Sequence, residues 1–155
     1  MANEACAIAK EFLDRMGAGR VGDALALVEP DAPVELTPLN LHGPAAEVMR
    51  RYLADVAAAF PELRLSIRRL FVGMDRTAIA EVRIQGAQAG ELWGIPARGR
   101  VLELDQVWLL RVDEGLTIDR IGAYWCQYQL CNMLGARRLD RVAVNAPSQE
   151  RRVRT

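Results

Sequence analysis

Apolar residues recur at helical spacing along the first third of the chain and at every second position along most of the rest. Residues 3–17 place Ala7, Ile8, Phe12, Leu13 and Met16 on one stripe, which predicts an amphipathic helix ended by Gly17 and Gly19. A shorter helix is expected over 21–29, with Ala24, Leu25, Leu27 and Val28 inward, and Glu29-Pro30-Asp31 stops it. Pro33 to Thr37 reads as a short strand and Pro38 to Pro44 as a loop. Gly43-Pro44 then opens a third helix over 44–59, carrying Val48, Met49, Tyr52, Leu53 and Val56, and Phe60-Pro61 ends it.

Beyond this point the period falls from about 3.6 to 2. Leu63, Leu65 and Ile67 alternate with Arg64, Ser66 and Arg68, and Leu70-Phe71-Val72 leads to a turn at Gly73-Met74-Asp75. A strand over 76–86 sets Ala78, Ala80, Val82 and Ile84 against Thr77, Glu81, Arg83 and Gln85. Glycines at 86, 90, 94 and 99, with Pro96, mark an irregular connection. Two long strands follow, 101–112 and 117–126, joined by Asp113-Glu114-Gly115 and closed by a short helix before Leu134-Gly135. Helices first and a strand meander afterwards predict an α+β fold: an antiparallel curved sheet with the helices packed on one face. Residues 1–136 make one domain, and the arginine-rich stretch 137–155 is expected to be an exposed tail.

The 155 residues suffice for one independently stable core, with 51% hydrophobic and 26% charged residues. A formal net charge of zero gives no general attraction to nucleic acid or to a membrane surface. No run reaches the roughly 18 apolar residues of a membrane span. Lys10 is the only lysine, so Schiff-base chemistry has almost no candidate. Cys6, Cys126 and Cys131 are odd in number and lack metal-ligand spacing, which argues for reduced thiols, a cytoplasmic setting and no structural metal.

Several phrases in order carry a resemblance: Phe60-Pro61-Glu62-Leu63, the loop Gly86 to Leu92, Gly94-Ile95-Pro96 with Gly99, Asp113-Glu114-Gly115, and Trp125-Cys126 ahead of Met133-Leu134-Gly135. Over about residues 4–136 the chain resembles the SnoaL-like polyketide cyclase family, within the nuclear-transport-factor-2-like and ketosteroid-isomerase-like cone folds. The resemblance implies a sheet wrapped around the N-terminal helices into a cone with an interior pocket. It also implies a cofactor-independent reaction, in which an aspartate at the end of the last strand takes a proton next to a carbonyl. Counting back from Leu134-Gly135 puts Cys126 at that aspartate's position, and Gly86-Ala87-Gln88 stands where the family often has Gly-Thr-His. Relatives of this kind commonly pack the outer sheet face against a second copy, so a homodimer or homotetramer is expected.

Alternation groups Gly122, Tyr124 and Cys126 on one face of the last strand, and Leu104, Gln106 and Trp108 on one face of its neighbour. Gln106 is then a polar group on an apolar face and needs a partner, from the protein or from a ligand carbonyl. Cys126 reads either as a small pocket-lining hydrophobe or as a reactive thiol. His42, the only histidine, and Asp105 are the candidate bases; the other reading of Asp105 is an outward residue paired with Arg83 or Arg111. The resemblance implies that Glu35 stands near the pocket mouth. Trp93, Trp108 and Tyr124 suit a hydrophobic, aromatic or polyketide-like small molecule, and equally suit a core or an interface.

Two functional classes follow. One is a cyclase or isomerase that abstracts a proton next to a carbonyl, or a variant in which Asp105 and Arg83 contribute to epoxide opening or hydroxylation. The other is a catalytically silent ligand-binding or accessory protein, motivated by cysteine at the aspartate position.

Overall fold

A computed structural model describes residues 2–136 of the chain. The expected tail over 137–155 lies outside the described residues. The chain opens with α1 (Ala2–Gly17), whose buried stripe is Ala5, Ala9, Phe12, Leu13 and Met16, followed by the single-turn α2 (Val21–Leu25). Then come β1 (Pro33–Leu36), a 3-10 turn at Thr37–Leu39, β2 (Leu41–Pro44) and α3 (Val48–Ala59). The long strands are β3 (Arg64–Val72), β4 (Thr77–Ala87), β5 (Val101–Val112) and β6 (Ile118–Trp125), and α4 (Gln127–Met133) closes the described chain.

Two local expectations are corrected. The stretch 38–44 is not all loop: asparagine at position 40 takes a left-handed conformation (φ 52°) and turns the chain back so that Leu41–Pro44 pairs with β1. The third helix begins at Val48, four residues after Pro44, because Pro44 is still engaged in that pairing.

The six strands form one curved sheet in the order β2-β1-β6-β5-β4-β3. The β1–β6 pair is parallel and the others are antiparallel. Directly opposed residues share a face, so the register defines the two sides. Ile84 with Leu104, Val82 with Gln106, Ala80 with Trp108, and Trp108 with Ala123 face the helices. The outer side carries Arg83 opposite Asp105, Val107 opposite Tyr124, and Glu35 opposite both Gly122 and His42.

Two irregularities keep the apolar residues inward. In β3 the register shifts between Ile67 and Arg69, so Leu65 and Ile67 share a face with Leu70 and Val72. In β6, Leu110 pairs with Ile121 but Val112 pairs with Ile118, which leaves one extra residue in β6. Without that bulge, strict alternation would place Ile118 and Ile121 on opposite faces.

Candidate functional site

The helices and the concave face enclose a group of aromatic and polar side chains. Tyr52 projects from α3, Trp108 and Gln106 from β5, and Trp125 from the end of β6. Ring centroids place Tyr52 5.6 Å from Trp108, 5.8 Å from Trp125 and 6.1 Å from Trp93. Trp93 and Trp125 lie nearly parallel, 13° apart with centroids at 6.5 Å. Gln106, 2% exposed, is satisfied within the protein: its Nε2 donates to the Tyr52 hydroxyl at 3.2 Å and its Oε1 accepts from Trp108 Nε1 at 3.1 Å. Burial pushes the Tyr52 phenol up to about 12, so it is a neutral donor and acceptor at ordinary pH.

Trp93 reaches this group from the connection between β4 and β5. Leu92 and Ile95 exchange both backbone hydrogen bonds, and Trp93 and Gly94 between them have φ of 49° and 88°. That is a tight turn with two left-handed residues, where tryptophan is an unusual occupant. Gln88 pins the turn by donating its Nε2 to the Gly90 and Ile95 carbonyls. Trp93 is 6% exposed, and its Nε1 donates to Asp55 Oδ2 at 3.0 Å. Asp55 is half-buried on α3, one turn from Tyr52. Burial raises its carboxyl above the ordinary aspartate value, opposed by the Trp93 hydrogen bond and by the charge of Arg51. Arg51 Nη1 is itself buried without a hydrogen-bond partner.

Beside Tyr52 lies a hollow of about 300 Å³ between the end of α1, α3 and the start of β3. Its lining includes Met16, Leu53, Val56, Phe60, Leu65 and Ile84, and it contains no charged side chain. The volume is at the low end for small-molecule sites.

The residues selected from sequence divide between the two sides of the sheet. Gln106, Trp108 and Trp93 sit on the interior side. The expected placement of Tyr124 and Cys126 in the interior is corrected. Gln106 pairs with Trp125 and Val107 with Tyr124, so the inward residues of β6 are Ile121, Ala123 and Trp125, and Tyr124 is 48% exposed on the outer face. The strand ends at Trp125, and Cys126 leaves the sheet to cap α4: it is exposed, and its Sγ accepts from the Gln129 N–H at 3.4 Å. Asp105 is also outward. Arg83 holds it through a two-pronged ion pair at 2.7 and 3.2 Å, and that hydrogen bond keeps its carboxyl below the usual aspartate value. His42 and Glu35 are exposed cross-strand neighbours on the same outer side. They line a groove of about 830 Å³ with Leu109 and Tyr124.

Sequence reasoning missed Asp55 and the polar use of Tyr52. Both lie within a helical stripe that periodicity explains by packing alone. The one available signal was Tyr52 and Asp55 spaced three apart on α3. Among the described residues, no group of three or more His, Cys, Asp or Glu side chains is arranged to hold a metal ion. No described helix is long and apolar enough to cross a membrane.

A curved six-stranded sheet closed over helices, with a lined hollow on its concave side, defines a cone fold of the nuclear-transport-factor-2-like class. The chain belongs to the SnoaL-like domain family, whose model matches residues 9–120. Among similar solved structures is AclR from Streptomyces galilaeus, named as a candidate hydroxylase, with 17% identity, 87% of this chain and 83% of that chain covered, and a TM-score of 0.76. A SnoaL-like candidate polyketide cyclase from Jannaschia sp. CCS1 has 15% identity, covers 88% and 95%, and gives 0.76. TsrD from Streptomyces laurentii has 22% identity, covers 87% and 97%, and gives 0.73. At these identities the likeness is one of fold. No curated protein matches the sequence.

Proposed function

We propose that this protein is a cofactor-independent cyclase or isomerase of a small, hydrophobic carbonyl compound, with Asp55 as the base that removes a proton next to the carbonyl. The observation that carries the reading is the Asp55 environment. A half-buried carboxylate raised by burial and held by the N–H of Trp93, an indole stacked on Trp125, has the features of a general base at moderate pH. Membership of the SnoaL-like family supports the reaction class. Asp105 and His42 take no part, because both face outward from the concave side. For the same reason Arg83 and Asp105 do not form an epoxide-opening set; they neutralise each other on the outer surface.

The test is loss of deuterium from the α-carbon of hydrophobic ketones and β-diketones. The parent protein should accelerate it, and Asp55→Asn should reduce the rate by about 10²-fold or more. Exchange by Asp55→Asn at the parental rate would refute the assignment. A second reading, a silent ligand-binding protein, is favoured by one fact: among the described residues no Asp, Glu or His side chain is fully buried. Saturable ketone binding by the parent, with no exchange above buffer, would establish that reading instead.

A further inference from the structure

Positive charge converges at one place that the reaction proposed above does not use. Arg98 and Arg100 lie in the connection between β4 and β5, on either side of Gly99. Gly99 has φ 70°, a left-handed conformation that bends the chain between them. Their guanidinium groups meet at the end of α4. A methyl group added at Gly135 would lie 3.2 Å from Arg100 Nε and 3.3 Å from Arg98 Nη1, so both groups reach one point. The backbone is fixed on each side of it. The Gln88 N–H donates to the Arg100 carbonyl at 2.9 Å. The end of α4 is closed by the Gly135 N–H on the Asn132 carbonyl and the Ala136 N–H on the Cys131 carbonyl, and Leu130, Cys131 and Leu134 anchor that helix in the core.

Two like charges held this close repel unless something neutralises them. On the sheet, Arg69, Arg83 and Arg111 each meet a carboxylate. Among the described residues no Asp or Glu forms an ion pair with Arg98 or Arg100. The helix end accounts for one of the two at most: Arg98 Nη1 donates to the Leu134 carbonyl at 3.5 Å, a long bond, and the Arg100 side chain has no hydrogen-bond partner among the described residues. Both arginines are exposed, so a ligand can reach them.

We propose that Arg98 and Arg100 form a clamp for a phosphate monoester group. Shape and charge select the ligand. Guanidinium N–H groups bind phosphate oxygens two at a time. Two guanidiniums balance a phosphate monoester, which carries a charge of about −2 at neutral pH, whereas a carboxylate or a phosphate diester leaves one of them unmatched. The absence of a side chain at Gly135 keeps the point between them open to an oxygen of the ligand. The clamp is separate from the carboxyl of Asp55, whose partners are Trp93 and the charge of Arg51.

The experiment titrates the full chain with propyl phosphate, and with diethyl phosphate and butyrate as singly charged probes. Binding is followed by backbone amide resonances, with Gly99 and Gly135 as local reporters. The parent should bind propyl phosphate saturably, with shifts at both glycines, and at least about tenfold more tightly than either singly charged probe. Arg98→Gln and Arg100→Gln should each weaken it by about tenfold, the scale of a hydrogen bond to a charged group. Arg120→Gln, which removes an exposed arginine from the outer groove, should leave the affinity unchanged. No saturable shift at Gly99 and Gly135, or butyrate bound as tightly as propyl phosphate, would overturn the proposal. So would an unchanged affinity in either clamp variant, or an equal loss in Arg120→Gln. The first two outcomes require only the parent protein, so they stand even if a variant fails to fold. Asp55→Asn should bind propyl phosphate as the parent does while losing α-carbon exchange, which separates this site from the reaction proposed above.

Discussion

At the scale of single residues, Asp55 and Asp105 show how one side-chain type takes opposite characters on the two sides of a sheet. Asp105 meets a guanidinium in water and is held below its ordinary value, whereas burial holds Asp55 above it against the opposing pull of the Trp93 N–H. The Asp55 shift has a consequence for stability. A raised value means that the folded state binds the proton more tightly than the unfolded state does. That contribution is complete below the unfolded value near 3.8 and is lost as pH rises through the folded value. Asp55→Asn cannot ionise, yet its amide oxygen still accepts from Trp93. Thermal melts between pH 4 and pH 7 should therefore show the variant gaining on the parent as pH rises. A melting-temperature difference independent of pH would contradict the burial assigned to this carboxyl. Catalysis, if Asp55 is the base, should rise over the same interval, because only the ionised form removes a proton.

At the scale of elements, periodicity made α1 and the four long strands legible, because each buries one continuous stripe or face. It failed where the chain changes phase. In β6, counting in twos from Ile118 leads through Arg120 and Gly122 to Tyr124 and Cys126, and so points those side chains at the core. The bulge reverses the parity: the extra residue lets Ile118 and Ile121 both face inward and sends Tyr124 to the surface. The corresponding shift in β3 left its apolar residues recognisable, because Leu70 and Val72 stand out against the paired arginines Arg68 and Arg69. β2 was hidden because Leu-His-Gly-Pro has little strand character of its own and pairs through the β1 edge. Asp55 was hidden for a different reason: its importance comes from Trp93, 38 residues away in sequence. Arg111 pairs with Asp119, the residue next to Ile118 at the bulge, and this pair is less exposed than the pair of Arg83 with Asp105. Asp119→Ala should lower stability by about 1–2 kcal/mol in denaturant titration, whereas Asp105→Ala should leave the midpoint almost unmoved. Equal effects would show that the bulge does not depend on its ion pair.

At the scale of the whole molecule, the outer sheet face is the large surface that the helices leave uncovered. Its charges are largely matched within the chain, through Arg69 with Glu81, Arg83 with Asp105, and Arg111 with Asp119. Between them lie the partly exposed Val107 and Leu109, with Tyr124 48% and Phe71 45% exposed, beside the groove of about 830 Å³. A formally neutral chain with such a face has little electrostatic repulsion against its own copies. The expected assembly is therefore a homodimer or homotetramer through this face, with Tyr124 near its centre. Tyr124→Arg would place an unmatched charge there while leaving the concave side untouched, since Tyr124 points away from it. Sedimentation should show the parent as an oligomer and the variant dissociating at concentrations at least about tenfold higher, the effect of losing a central aromatic contact. Circular dichroism and the α-carbon exchange assay should match the parent, because the fold and the Asp55 site lie on the far side of the sheet. A parent that sediments as a monomer, or a variant that associates as strongly as the parent, would assign this face to a different partner.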